Sequence, residues 1–144
     1  MTNSTTLVWK GGMSFEAEVN GFKLTLDADV KFGGQNLGPR PKPLLLVALS
    51  GCSAMDVVSI LDKMKVSDYA LDMDMEAVMT DTEPKVYQTI RMKYLLTGAD
   101  LPLDKVEKAV TYSRDKYCGV YAMLSQTAKI SISIYINGEE VWHD

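Results

Sequence analysis

The sequence predicts an α+β fold with largely antiparallel sheets. Three stretches carry that expectation. FEAEV and FKLTLDADV (residues 15–19 and 22–30) alternate apolar and polar side chains on either side of Asn20-Gly21, the chemistry of a two-residue hairpin turn. LLLVALSGCSAMDVVSIL (residues 44–61) is apolar over the length of a long helix. KISISIYING (residues 129–138) places Ile130, Ile132, Ile134 and Ile136 on one face of a strand.

The elements follow in order. Residues 7–32 read as strands. FGGQNLGPRPKP (residues 32–43) is punctuated by glycine and proline and reads as a loop. Pro43 suits the first turn of a helix that runs to about Met64. Leu71, Met73 and Met75 alternate with acids, which predicts a strand. Beyond Pro84, VYQTIRMKYLLTG (residues 86–98) is rich in β-formers and predicts its pairing partner. Asp100 and Pro102 then open a helix with Leu103, Val106, Val110 and Tyr117 at helical spacing. Gly119 interrupts it, and VYAMLSQT continues as a short helix before the last strand. Trp9 and Trp142 read as pegs that dock terminal strands. The nine methionines read as filler of a core or dimer interface.

The chain of 144 residues is the length of one domain, 1–144, and at 47% apolar residues it can bury a real core. A net charge of -4 with no run of Lys and Arg gives no electrostatic reason to bind nucleic acid. The longest unbroken apolar run is residues 44–49, so no membrane span is expected. The N-terminus has neither the charged start nor the apolar segment of a signal peptide, and a cytoplasmic location is expected. Two cysteines are too few for a secreted disulfide scaffold. With one histidine besides, His143, a closed structural zinc site lacks ligands, and no metal is expected. SGCSA is not a G-x-S-x-G nucleophile elbow, and the glycines of FGGQNLG do not have nucleotide-loop spacing.

The chemistry concentrates on the long helix. On a helical wheel Cys52, Asp56, Ser59 and Lys63 form one stripe. Two readings of Cys52 are open. It is a small core residue beside a solvated acidic edge, or it lines a pocket as a redox nucleophile. A thiolate requires positive potential nearby, and the helix dipole fades within the first turn. Asp56 would oppose the thiolate unless it is paired, with Lys63 or Arg114 as candidates. Arg40, Lys42, Arg91 and Arg114 are the cations on offer.

LLLVALSGCSAMDVVSIL, then KAVTYSRDKYCGVYAML, then AKISISIYING resembles the OsmC/Ohr family of peroxide-handling proteins over nearly the whole chain. The resemblance implies an intertwined homodimer, with antiparallel sheets around long central helices. It also implies a stress-response thiol peroxidase acting on organic hydroperoxides. Cys52 would be the peroxidatic residue and Cys118 the resolving one, joined as a disulfide in the oxidised state. A dithiol reductant, of lipoyl type in this family, would restore both thiols, and no cofactor is implied. The chain departs from the family in one respect. KGGMSF puts Met13 near the place of a thiolate-holding arginine, and GPRPKPLL puts Lys42 near that of its glutamate partner. Arg40 then becomes the candidate cation, with Asp56 in a supporting role. The alternative is a non-catalytic OsmC-like protein that binds a small apolar ligand in the dimer cleft.

Overall fold

The structure, a computed structural model, describes all 144 residues. The chain divides into two compact units, Met1–Val47 and Ala48–Asp144.

In the first unit, β1 (Thr5–Gly11), β2 (Ser14–Val19) and β3 (Phe22–Leu26) form an antiparallel sheet in that order. Asn20 and Gly21 join β2 to β3 with φ of 51° and 81°, the left-handed pair that matches the twist of a tight hairpin. The third strand ends at Leu26, short of the predicted Val30. Asp27 ends it because its buried carboxylate takes up backbone donors. It accepts from the N–H groups of Ala28 (2.8 Å), Gln35 (3.2 Å) and Leu37 (3.2 Å). Desolvation pushes this carboxyl up, but those three donors and the nearby Arg40 outweigh it and hold it below the usual carboxylate range. Asp27 thereby folds the predicted glycine- and proline-rich loop back on the strand. Gly38 lies so close to Thr25 that a Cβ there would run into its carbonyl. Trp9 does not act as a peg. It is 66% exposed, and its indole N–H donates to the Gly12 carbonyl at 2.9 Å.

The helix α1 (Pro41–Lys63) begins in the first unit and runs on into the second. Over an 18-residue window its mean hydropathy is 2.1, so it is long and apolar enough to cross a membrane by length and composition alone. The helix thus reaches a length that the unbroken apolar runs fall short of. Ser50, Gly51, Ser53 and Asp56 interrupt the apolar count without lowering the average far enough. In the second unit this helix buries Leu49, Ser53, Val57, Ile60 and Leu61 along one ridge. Cys52 and Asp56 border the ridge half-buried, and Met55 and Val58 point out.

The second sheet has the order β4-β5-β6-β7, with β4 (Ala70–Met79), β5 (Tyr87–Thr97), β6 (Lys129–Ile136) and β7 (Glu139–His143). Its pairs are antiparallel except β5 and β6, which run parallel. A parallel pair requires a crossover, and α2 (Leu103–Tyr112) and α3 (Gly119–Leu124) supply it. Alternation buries Ile90, Met92, Tyr94 and Leu96 on β5, and Ile132 and Ile134 on β6. With Val106, Ala109 and Val110 of α2 they form the core of this unit. Between α2 and α3 the backbone widens into one π-helical turn, Ser113–Tyr117, closed by the Cys118 N–H on the Ser113 carbonyl at 2.8 Å. The extra residue rotates the helical pattern. Ser113 and Cys118 therefore face inward, while Tyr117, predicted on the apolar face, is exposed.

Candidate functional site

Cys52 and Asp56 lie one turn apart on α1, and Cys118 caps the start of α3. The two thiol sulfurs and a carboxylate oxygen of Asp56 all lie within 4.8 Å of one another. Residues distant in sequence thus converge on one point within the second unit. Both cysteines are free thiols, Cys52 half-buried and Cys118 buried.

Hydroxyl groups that the sequence did not mark out surround this point. The Ser53 hydroxyl donates to Cys118 Sγ at 3.2 Å, and the Tyr121 backbone N–H donates to the same sulfur at 3.3 Å. Ser113 Oγ donates to Asp56 Oδ2 at 3.0 Å. Asp56 therefore finds its partner in a hydroxyl rather than in the predicted Lys63 or Arg114. Arg114 is engaged instead by Asp115 at 2.7 Å and Asp144 at 3.5 Å. The Tyr94 phenol shares hydrogen bonds with Ser53 and Ser113, and burial pushes it well above the usual tyrosine range. Ser53, Ser113 and Tyr94 are each buried to within a percent or so of full occlusion. Buried hydroxyls require partners, and each finds them inside this cluster.

The environment separates the two thiols. Burial pushes the Cys118 thiol up, and its hydrogen bond with Cys52 adds to the rise. The Ser53 and Tyr121 donors oppose it without cancelling it. Cys118 therefore keeps its proton where an ordinary thiol begins to lose it. Cys52 is the more accessible sulfur.

Beside the cluster is a groove of about 360 Å³ lined by Asp56, Ser59, Ile60, Lys63, Met64, Tyr112 and Tyr117. Asp56 belongs to both, so the groove opens next to the thiols. Arg40 belongs to the first unit. Its guanidinium donates to Asn36 Oδ1 (2.7 Å) and the Gly38 carbonyl (2.9 Å) and pairs with Asp29 at 3.5 Å. Met13 and Arg40 both line an apolar pocket of about 530 Å³ in that unit, together with Leu7, Phe15, Leu26 and Phe32.

Comparison with known proteins finds relatives along nearly the whole chain. The family profile described as OsmC-like protein covers residues 33–133. Protein YhfA of Escherichia coli K12 is 31% identical over 126 residues, which span 87% of this chain and 91% of YhfA. Among solved structures, a hypothetical protein from Aquifex aeolicus superposes with a TM-score of 0.84 at 26% identity, covering 97% of this chain and 99% of its own. An organic hydroperoxide resistance protein OsmC from Legionella pneumophila shares the fold with a TM-score of 0.68 at 17% identity, over 93% of this chain and 96% of its own.

Proposed function

Since the chain belongs to the OsmC-like protein family, we propose that it is a cysteine-based peroxidase that reduces organic hydroperoxides to alcohols. The observation that carries this reading is the approach of Cys52 and Cys118 to within 4.8 Å from separate elements. The Cys52 thiolate attacks the distal peroxide oxygen. The O–O bond breaks, the alkoxide leaves and takes a proton to become the alcohol, and Cys52 is left as a sulfenic acid. The Cys118 sulfur then attacks the sulfenic sulfur, the S–S bond forms and water leaves. A dithiol reductant, of lipoyl type, exchanges with the disulfide and becomes the oxidised partner. Accessibility supports Cys52 as the attacking sulfur and the buried Cys118 as the resolving one.

In this reading Asp56, held by Ser113, supports the site from the turn of α1 after Cys52. The unit of function is a single OsmC-like domain over residues 1–144, paired as a homodimer and acting in the cytoplasm as a stress-response protein. Met55 is 75% exposed on α1, and Leu45, Val47 and Val58 are exposed with it, which supports a partner subunit over that helix. The groove beside Asp56 supports a second reading, a non-catalytic OsmC-like protein holding a small apolar ligand.

One assay divides the two. Reduced protein is mixed with a slight excess of cumene hydroperoxide, and free thiols are counted. Loss of both within seconds, abolished in Cys52→Ser, supports the peroxidase. Thiols that survive for an hour overturn it and leave the binding protein.

A further inference from the structure

Two thiols and a carboxylate gathered within 4.8 Å make a donor set as well as a redox pair. We propose that the reduced chain binds one thiophilic divalent cation, of which Zn2+ is the type, through Cys52, Asp56 and Cys118. The inference goes beyond the peroxidase reading and does not depend on it.

Tetrahedral zinc holds sulfur at about 2.3 Å and carboxylate oxygen at about 2.0–2.2 Å, which sets neighbouring ligand atoms roughly 3.5–3.8 Å apart. The observed spread, 4.8 Å at most, is wider than that by about 1 Å. Cys52 and Asp56 at i and i+4 chelate from one helix face, and Cys118 closes the site from the turn before α3. Three protein ligands leave a fourth position for water. A closed four-ligand zinc site is out of reach of two cysteines and one distant histidine. The carboxylate of Asp56 is the donor that a count of Cys and His leaves out.

The surroundings fit a ligated state. A metal-bound thiolate gains from donors on its sulfur, and Cys118 Sγ already accepts from Ser53 Oγ and the Tyr121 N–H. A ligating carboxylate gains from a hydrogen bond that fixes its plane, and Ser113 gives one to Asp56. Two sulfur donors select zinc, cobalt or cadmium over calcium and magnesium. On binding, each thiol gives its proton to solvent and two sulfur–metal bonds form, so no oxidant or reductant takes part. A bound metal holds both sulfurs as ligands, so it withdraws them from attack on other electrophiles.

The test uses the full-length reduced protein, without air or peroxide, titrated with Co2+. The expected result is one Co2+ per chain, with a sulfur-to-cobalt charge-transfer band in the near ultraviolet. Zn2+ displaces it and shields both cysteines of the unaltered chain from iodoacetamide, a readout that needs no variant. Asp56→Asn weakens binding at least about tenfold, and Cys118→Ser removes most of the band. No charge-transfer band, an affinity unchanged in Asp56→Asn, or alkylation at the same rate with and without Zn2+ would each overturn the site. A chain that consumes peroxide but binds no cobalt overturns only this inference. One that binds cobalt and ignores peroxide overturns only the peroxidase.

Discussion

Ser53 donates its hydroxyl proton to the Cys118 sulfur, and Ser113 donates its own to Asp56, so two buried serines orient the site from behind. Of the two sulfurs, Ser53 bonds the resolving one. Ser53→Ala is therefore expected to slow disulfide formation by about 2–10-fold, the kinetic equivalent of one hydrogen bond of about 0.5–1.5 kcal/mol. Trapping of the Cys52 sulfenic acid by dimedone should proceed at the unaltered rate. Equal slowing of both steps would show that Ser53 supports the fold rather than the sulfur. Cys52 and Asp56 stand out in the sequence because a thiol or an acid on an apolar helix requires a reason, whereas Cys118 is marked only by the resemblance to the family. Ser53 does not stand out, because it sits on the buried ridge between Leu49 and Val57, where a small residue is unremarked. Tyr94 was hidden likewise, since a strand that alternates apolar residues accepts a tyrosine without comment.

At the scale of elements, the segment from Asp27 to Arg40 depends on one carboxylate. Its pKa lies below the ordinary value, so its contribution to stability is complete above the ordinary carboxylate range and is lost as pH falls through the lowered value. As pH falls through that lowered value the N–H groups of Gln35 and Leu37 should lose protection against hydrogen exchange, measured relative to the intrinsic rate at each pH, while the protection in Asp27→Asn should not change with pH. Protection that is pH-independent in the unaltered chain would contradict this role for Asp27. Gly38→Ala should cost about 1–3 kcal/mol, measured by denaturant unfolding, because the new methyl meets the Thr25 carbonyl. Most elements were legible from periodicity, including the Ile132–Ile134 face of β6. Two features were not. The π-helical turn at Ser113–Tyr117 shifts the helical period, and no composition rule marks it. The other is β7, which lies beyond the predicted last strand although Asn137-Gly138 repeats the hairpin signal of Asn20-Gly21, with φ of 52° and 85°.

At the scale of the whole molecule, a 23-residue helix with a mean hydropathy of 2.1 over 18 residues has only 28% of that window buried. Apolar surface of that kind calls for a cover. Light scattering is expected to give the mass of a dimer, and Val47→Asp combined with Met55→Asp to shift it to the monomer. A monomeric unaltered chain would remove the dimer from the account. The family is legible in the sequence because the two cysteine-bearing blocks stand in order along the chain. The most direct test of the central claim is the intact mass of the protein after one equivalent of cumene hydroperoxide, followed by non-reducing peptide mapping. The account predicts a loss of about 2 Da per chain and a single cross-linked peptide pair holding Cys52 and Cys118. A gain of oxygen atoms on Cys52 with Cys118 still free, or an unchanged mass, would contradict it.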